Sequence, residues 1–168
     1  ARGAGPGGDS AAGESSVVFG KSSGFTAAVD LSTLNGTDGF RLDGIDAGDQ
    51  SGFSVSSAGD VNGDGFDDLI IGARFADPDG DSGAGESYVV FGKSSGFTAA
   101  VNLSTLDGTD GFRMDGVDGG DQSGVSVSSA GDVNADGFDD LIIGARGSDP
   151  GGDSTAGESY VVFGKSSD

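Results

Sequence analysis

Apolar residues along this chain fall in short runs rather than at helical spacing: SVVF, GFRL, FSVS, DLIIGA and YVVF alternate with stretches rich in Gly, Asp, Asn and Ser. Such runs, bounded by turn residues, predict strands. In the best delimited stretch, strands are expected at about 52–58, 67–73, 87–91 and 111–115. Leu69, Ile70 and Ile71 are apolar without alternation, as a strand buried on both faces requires. Between the third and fourth strands, Phe97, Val101, Leu103 and Leu106 suit a packed loop containing a short strand or one helical turn.

The same pattern then repeats. GTDGFRLDGIDAGDQSGFSVSSAGDVNGDGFDDLIIGAR at 36–74 returns, with a few conservative changes, at 108–146, and GESSVVFGKSS from 13 returns as GESYVVFGKSS from 85 and again from 157. The period is 72 residues throughout, so the chain holds two full units plus a third of another and opens in the middle of a unit. Four short strands per unit describe a blade of a β-propeller, and two and a third blades do not close a ring, which takes about four to eight. The expected architecture is all-β: four-stranded antiparallel blades, not a closed propeller within one chain. Residues 1–51 are expected to supply a third and fourth strand, 52–123 a complete blade, and 124–168 a partial blade. Both a fragment of a longer array and a protomer whose ends complement those of its neighbours remain open.

Composition narrows the chemistry. Glycine contributes 35 of 168 residues, in keeping with many tight turns. With 28 acidic and 8 basic residues the formal charge is -20, which opposes nucleic acid and anionic membranes and favours cations. Cysteine and histidine are both absent, so thiol and imidazole chemistry and the usual zinc sites are excluded, and any metal must be held through oxygen. No apolar stretch is long enough to span a bilayer.

The acids cluster in DVNGDGFDD at 60–68 and DVNADGFDD at 132–140. Alternate residues of a tight loop turn their oxygens inward, and Gly65 allows a sharp bend. A hard cation wanting six to eight oxygens would take Asp60, Asn62, Asp64, the carbonyl of Phe66 and Asp68; calcium suits this set better than magnesium, which prefers a smaller octahedron with waters retained. An EF-hand needs a Glu eleven residues after the first ligand, but Ile71 and Ile143 stand there. The loop therefore lies between strands, with Asp67 and Asp139 turned away from the metal. A second acidic stretch at 77–86 reads as a solvated loop, because its repeats lose several acids.

SGFSVSSAGDVNGDGFDDLIIGAR at 51–74 and SGVSVSSAGDVNADGFDDLIIGAR at 123–146, together with the YVVFG strands, resemble the FG-GAP repeats of integrin α-chain propellers and their bacterial relatives. The resemblance implies a calcium loop between the first two strands of a blade, with ligands carried over to Asp60, Asn62, Asp64, Phe66 and Asp68 and to Asp132, Asn134, Asp136, Phe138 and Asp140. Arg74 and Arg146 replace the proline of the family's Gly-Ala-Pro, and the aromatic-glycine pair is shifted to Gly52-Phe53 and lost at Gly124-Val125.

These observations lead to the expectation of a non-enzymatic, calcium-stabilised extracellular module, secreted or on the cell surface, for adhesion or for matrix or filament assembly. Its expected partners are other copies of itself, joined head to tail, and protein or glycan ligands. An enzyme on a propeller scaffold is the alternative, opposed by the recurrence of every acidic cluster in both units. Near-identity of the units also admits a designed or consensus repeat.

Overall fold

In a computed structural model, which describes Gly5 and residues 8–166, the chain forms ten strands in three sheets. The middle sheet is complete, with β3 (Ser54–Gly59), β4 (Asp68–Ala73), β5 (Glu86–Val90) and β7 (Gly111–Asp115) in that order, all antiparallel. The last sheet holds β8 (Ser123–Gly131), β9 (Asp140–Ala145) and β10 (Glu158–Val162). The first pairs β1 (Glu14–Val18) with β2 (Gly39–Asp43). Among the described residues there is no α-helix, and the three sheets stack as consecutive open blades, as the sequence pattern predicts.

The strand expected at 52–58 begins two residues later, because Gly52 takes a positive φ of 79° and turns the chain before pairing starts. The other three strands fall within one residue of expectation. The segment between the third and fourth strands contains both expected elements: β6 (Ala100–Asn102) and a 3-10 turn at Leu103–Thr105, whose Ser104 N–H donates to Asn102 Oδ1 at 2.9 Å. One feature departs from the antiparallel expectation. β6 leaves its own blade and pairs in parallel with β2 of the preceding one, Leu42 opposite Val101. The aromatic that precedes it explains the crossing, since the Phe97 ring stacks on Phe40 with centroids 4.5 Å apart and planes 10° from parallel.

Side-chain alternation along β4 feeds two cores. Ile71 and Ala73 join Phe40, Leu42, Tyr88 and Val90 between the first and middle sheets. Ile70 joins Ala58, Val61, Val89, Leu141 and Ile143 between the middle and last sheets. The same positions in β9 lack the outer neighbour, so Ile143 is buried but Ile142 is 38% exposed while Ile70 is fully covered. Arg74, in place of the proline, lays its guanidinium over the rings of Phe53 (3.8 Å) and Phe75 (4.3 Å). In the following unit Val125 and Gly147 replace both rings, and what remains is the glutamine contact: Arg146 Nε donates to Gln122 Oε1 at 3.0 Å, as Arg74 Nη2 does to Gln50 Oε1 at 3.4 Å.

The two equivalent isoleucines should therefore respond unequally to truncation. Ile70→Ala is expected to cost about 2–5 kcal/mol, and Ile142→Ala well under half of that, in urea unfolding followed by circular dichroism.

Candidate metal centre

Each acidic nonapeptide forms the connection of a hairpin. A register shift between Ser57 and Gly59 bends β3 so that Gly59 faces Asp68, and residues 60–67 close the loop; β8 and β9 repeat this with Gly131 facing Asp140. A bulge of this kind strengthens local twist and re-aims the chain. Gly65 supplies the bend at φ 89°.

Within the first loop the polar side chains are engaged by backbone N–H groups. Asp60 Oδ1 accepts from Gly63 N (2.8 Å) and Asp64 N (3.1 Å), and its Oδ2 accepts from Gly65 N (2.9 Å). Asn62 Oδ1 accepts from Asp64 N at 2.9 Å while its amide donates to Asp64 Oδ2 at 3.0 Å, and Asp64 Oδ1 accepts from Phe66 N at 2.9 Å. Asp68 is fully buried; its two oxygens accept from Val61 N at 3.0 Å and Gly92 N at 2.8 Å. Burial pushes its carboxyl up to about 6 against those two hydrogen bonds, and the charges of Asp64 and Asp60 push it further. The second loop repeats most of these bonds: Asp132 accepts from Asp136 N and Gly137 N, Asn134 accepts from Asp136 N and donates to Asp136, and Asp136 accepts from Phe138 N. Asp140 accepts from Val133 N and Gly164 N.

The donor set is all oxygen, and among the described residues Asp68 is a buried carboxylate that pairs with no basic side chain, which is the chemistry a divalent cation would complete. The geometry is less complete. Among the described residues no three acidic side chains converge closely enough to hold a metal ion, because Asp60 and Asp64 are turned onto backbone N–H groups and Asn62 presents its amide nitrogen to Asp64. Asp60 Oδ1 already accepts two hydrogen bonds, whereas Asp60 Oδ2 and both oxygens of Asp64 and of Asp68 accept one each and keep a further lone pair.

The two loops differ in their surroundings. Val61 is 4% exposed and Val133 57%, because the last blade covers the first loop and, among the described residues, nothing covers the second. The cover includes a reciprocal clasp: Asp139 N–H donates to the Asp60 carbonyl at 3.1 Å, and Asp60 N–H donates to Asp139 Oδ2 at 3.0 Å. Asp139 thus joins neighbouring blades. The Phe138 ring lies over Gly63, where an added Cβ would sit 2.4 Å from Cε1, and Gly63 has φ 75°. Ala135 occupies the same left-handed conformation, φ 61°, in the loop that has no ring above it. The exchange of Gly63 for Ala135 therefore reports what packs on the loop rather than a general tolerance for a methyl group.

The stretch at 77–86 places Asp79 and Asp81 in solvent, uses Asp77 Oδ1 to accept from Gly83 N at 2.7 Å, and buries Glu86. Glu86 accepts from the Tyr88 hydroxyl and pairs with Arg113 at 3.3 Å. Sequence reasoning passed over Asp49 and Asp121, both buried. Burial pushes the Asp49 carboxyl up to about 6; the Asp46 N–H opposes the shift, and the charges of Asp46, Glu86 and Asp77 add to it. Their signal was the repetition of GDQSG in both units.

Comparison with known proteins follows the same two units. Residues 51–90 and 123–162 match the model of the FG-GAP repeat. The chain is similar to integrin alpha-PS2 of Drosophila melanogaster, 33% identical over 129 residues that make up 74% of this chain and 8% of that protein. It is similar also to integrin alpha-5 of Xenopus laevis, 32% identical over 139 residues (80% of this chain, 12% of that protein). Integrin alpha ina-1 of Caenorhabditis elegans is 35% identical over 136 residues, with coverage of 79% and 11%. The chain thus spans only a small part of the length of these relatives.

Two outcomes test the packing and the charge of this region. Gly63→Ala is expected to destabilise by about 1–3 kcal/mol, and Phe138→Ala in the same chain should recover part of that loss, so the double-mutant cycle will be non-additive. Asp49 holds a proton in the folded chain at pH values where the unfolded chain has released it, from about 3.8 to about 6. Stability should accordingly fall as pH rises through that window, and urea midpoints measured across it should show a shallower fall in Asp49→Asn.

Proposed function

Because the chain belongs to the FG-GAP repeat family and is related to integrin alpha chains, we propose that it is a non-enzymatic, calcium-binding extracellular module serving adhesion or cell-surface and matrix assembly. The observation that carries this reading is the pair of buried carboxylates, Asp68 and Asp140, each closing a DxNxDGxxD loop on two backbone N–H groups. Bound calcium would supply positive charge to a chain of formal charge -20. Asp60, Asn62, Asp64, the Phe66 carbonyl and Asp68 would hold it in one loop, and Asp132, Asn134, Asp136, the Phe138 carbonyl and Asp140 in the other. These residues would release backbone N–H contacts in part, and the hairpin would be stapled where a disulfide is absent.

Extracellular calcium modules work at affinities of about 10⁻⁴ to 10⁻³ M, and the proposed setting is accordingly outside the cell, secreted or on its surface. Among the described residues no helix is long and apolar enough to cross a membrane. The partners of this reading are protein or glycan ligands at the blade loops and further copies of the chain. An enzyme would need a cluster that breaks the repeat, yet buried Asp49 has its counterpart in buried Asp121, and the two acidic loops are alike.

Calorimetry on chelator-treated protein should find two calcium sites per chain, with magnesium weaker. At a free calcium tenfold above Kd each site adds about 1.4 kcal/mol, so the melting temperature should rise by several degrees, and Asp60→Asn with Asp132→Asn should abolish the rise. A melt that ignores calcium would remove the proposal.

A further inference from the structure

A cavity of about 550 Å³ lies beside β7 and the end of β10, lined by Phe91, Phe112, Leu141, Val162, Phe163 and Lys165 among others. Subtracting the 72-residue period gives Phe19, Phe40, Leu69, Val90, Phe91 and Lys93, and these line a cavity of about 210 Å³ one blade earlier, together with Phe97. In that earlier seat Phe97 stacks on Phe40 and tilts against Phe19 at 5.3 Å, β6 pairs with β2, and Leu103 is buried. Among the described residues, the larger cavity is the same seat with no counterpart of Phe97 in it.

The chain also carries the matching insert. Residues 25–34 repeat 97–106 with Asp30 for Asn102 as the one change, and they form the same capped turn, Leu31–Thr33, with Ser32 N–H donating to Asp30 Oδ1 at 2.9 Å. Leu34 is buried, but three of their apolar side chains stand largely in solvent: Phe25 is 54%, Val29 44% and Leu31 53% exposed, whereas Leu103, the counterpart of Leu31, is buried. An empty seat and an unseated strap of the seated sequence therefore coexist in one molecule.

We infer that residues 25–43 of a second copy dock on this seat. Phe25 of the second copy stacks on Phe112, its residues 28–30 pair in parallel with 113–115 as Ala100–Asn102 pairs with 41–43, and its β2 adds to β10 as the fourth strand of the last blade. The second copy's β2 must leave its own β1 for this, and the exchange favours β10. Arg41 faces Ser16 on β1, whereas its counterpart Arg113 faces Tyr88, and β10 restores that tyrosine as Tyr160. Tyr88 is buried and donates to Glu86, so the composite blade regains a packed aromatic that the free β1–β2 pair lacks. The contact is heterologous, with seat at one end and strap at the other, and it propagates from copy to copy. One misfit is built in. Phe66 of the second copy meets Ala135, as Phe138 meets Gly63, and the methyl crowds its ring.

This inference deepens the self-association named above and rests on it, but it does not rest on the calcium loops. The full 168-residue chain is examined by sedimentation velocity, in calcium and in chelator. The wild type should associate, Phe25→Ser should be monomeric, and Phe112→Ser should be monomeric. Because Phe112 packs on Phe91, the exposed Phe163→Ser serves as a second seat variant, with circular dichroism confirming the fold. An equimolar mixture of strap and seat variants should give dimers and nothing larger, since one intact junction survives. Ala135→Gly should associate more tightly. Association of Phe25→Ser at wild-type strength would leave self-association standing and overturn the strap; a wild type monomeric in both conditions would overturn both. Failure of the mixture to dimerise, or of Ala135→Gly to tighten, would overturn this seating.

Discussion

Apolar side chains on both faces of β4 mean that no blade of this chain is finished until a sheet lies on each side of it. Ile71 and Ala73 look toward the first sheet, and Ile70 looks toward the last. Backbone hydrogen bonds hold each sheet together, but they do nothing for those faces; burial against the neighbour does. Both terminal sheets accordingly keep uncovered apolar residues, Val18 on β1 and Ile142 and Val161 in the last sheet. In such a quasi-linear array stability is a sum of units and of the interfaces between them, so position in the stack, not sequence, decides what a given residue contributes.

That dependence reaches the acidic loops. Burying Asp68 at the head of β4 would be prohibitive for an unassisted charge, and the structure answers with two N–H donors, one from the loop itself and one from Gly92 beyond β5. The loop is thereby tied to three strands of its own blade. Asp139 ties it to the next one. A cation bound there would brace an inter-blade joint as well as a hairpin, which is why the covered loop at 60–68 and the open loop at 132–140, though nearly identical in sequence, are mechanically different places.

Most of the blade was legible in the sequence because the turn residues and apolar runs give period and length directly. DLIIGA could only be a strand covered on both faces, and GFRMD between GTD and GVD could only be short and extended. The ligand candidates were legible for a similar reason: DxNxDGxxD is local, and its hydrogen bonds are made within nine residues. What escaped notice was non-local. The parallel pairing of β6 with the preceding blade and the Phe138 ring over Gly63 depend on which units stand on either side, and a repeat sequence writes the same letters whether or not a neighbour is there.

Gly63 and Ala135 show how position leaves its mark even so. The left-handed turn admits both residues, since φ is 75° in one loop and 61° in the other. Only the covered loop excludes the methyl, through the ring of Phe138. A difference that looks neutral when two copies of a motif are aligned becomes meaningful once each is placed in the stack: glycine stands where a neighbour presses on the loop, and alanine where none does within the chain. Small departures between near-identical units are thus the residues to read first, because shared residues describe the blade and differing ones describe its address.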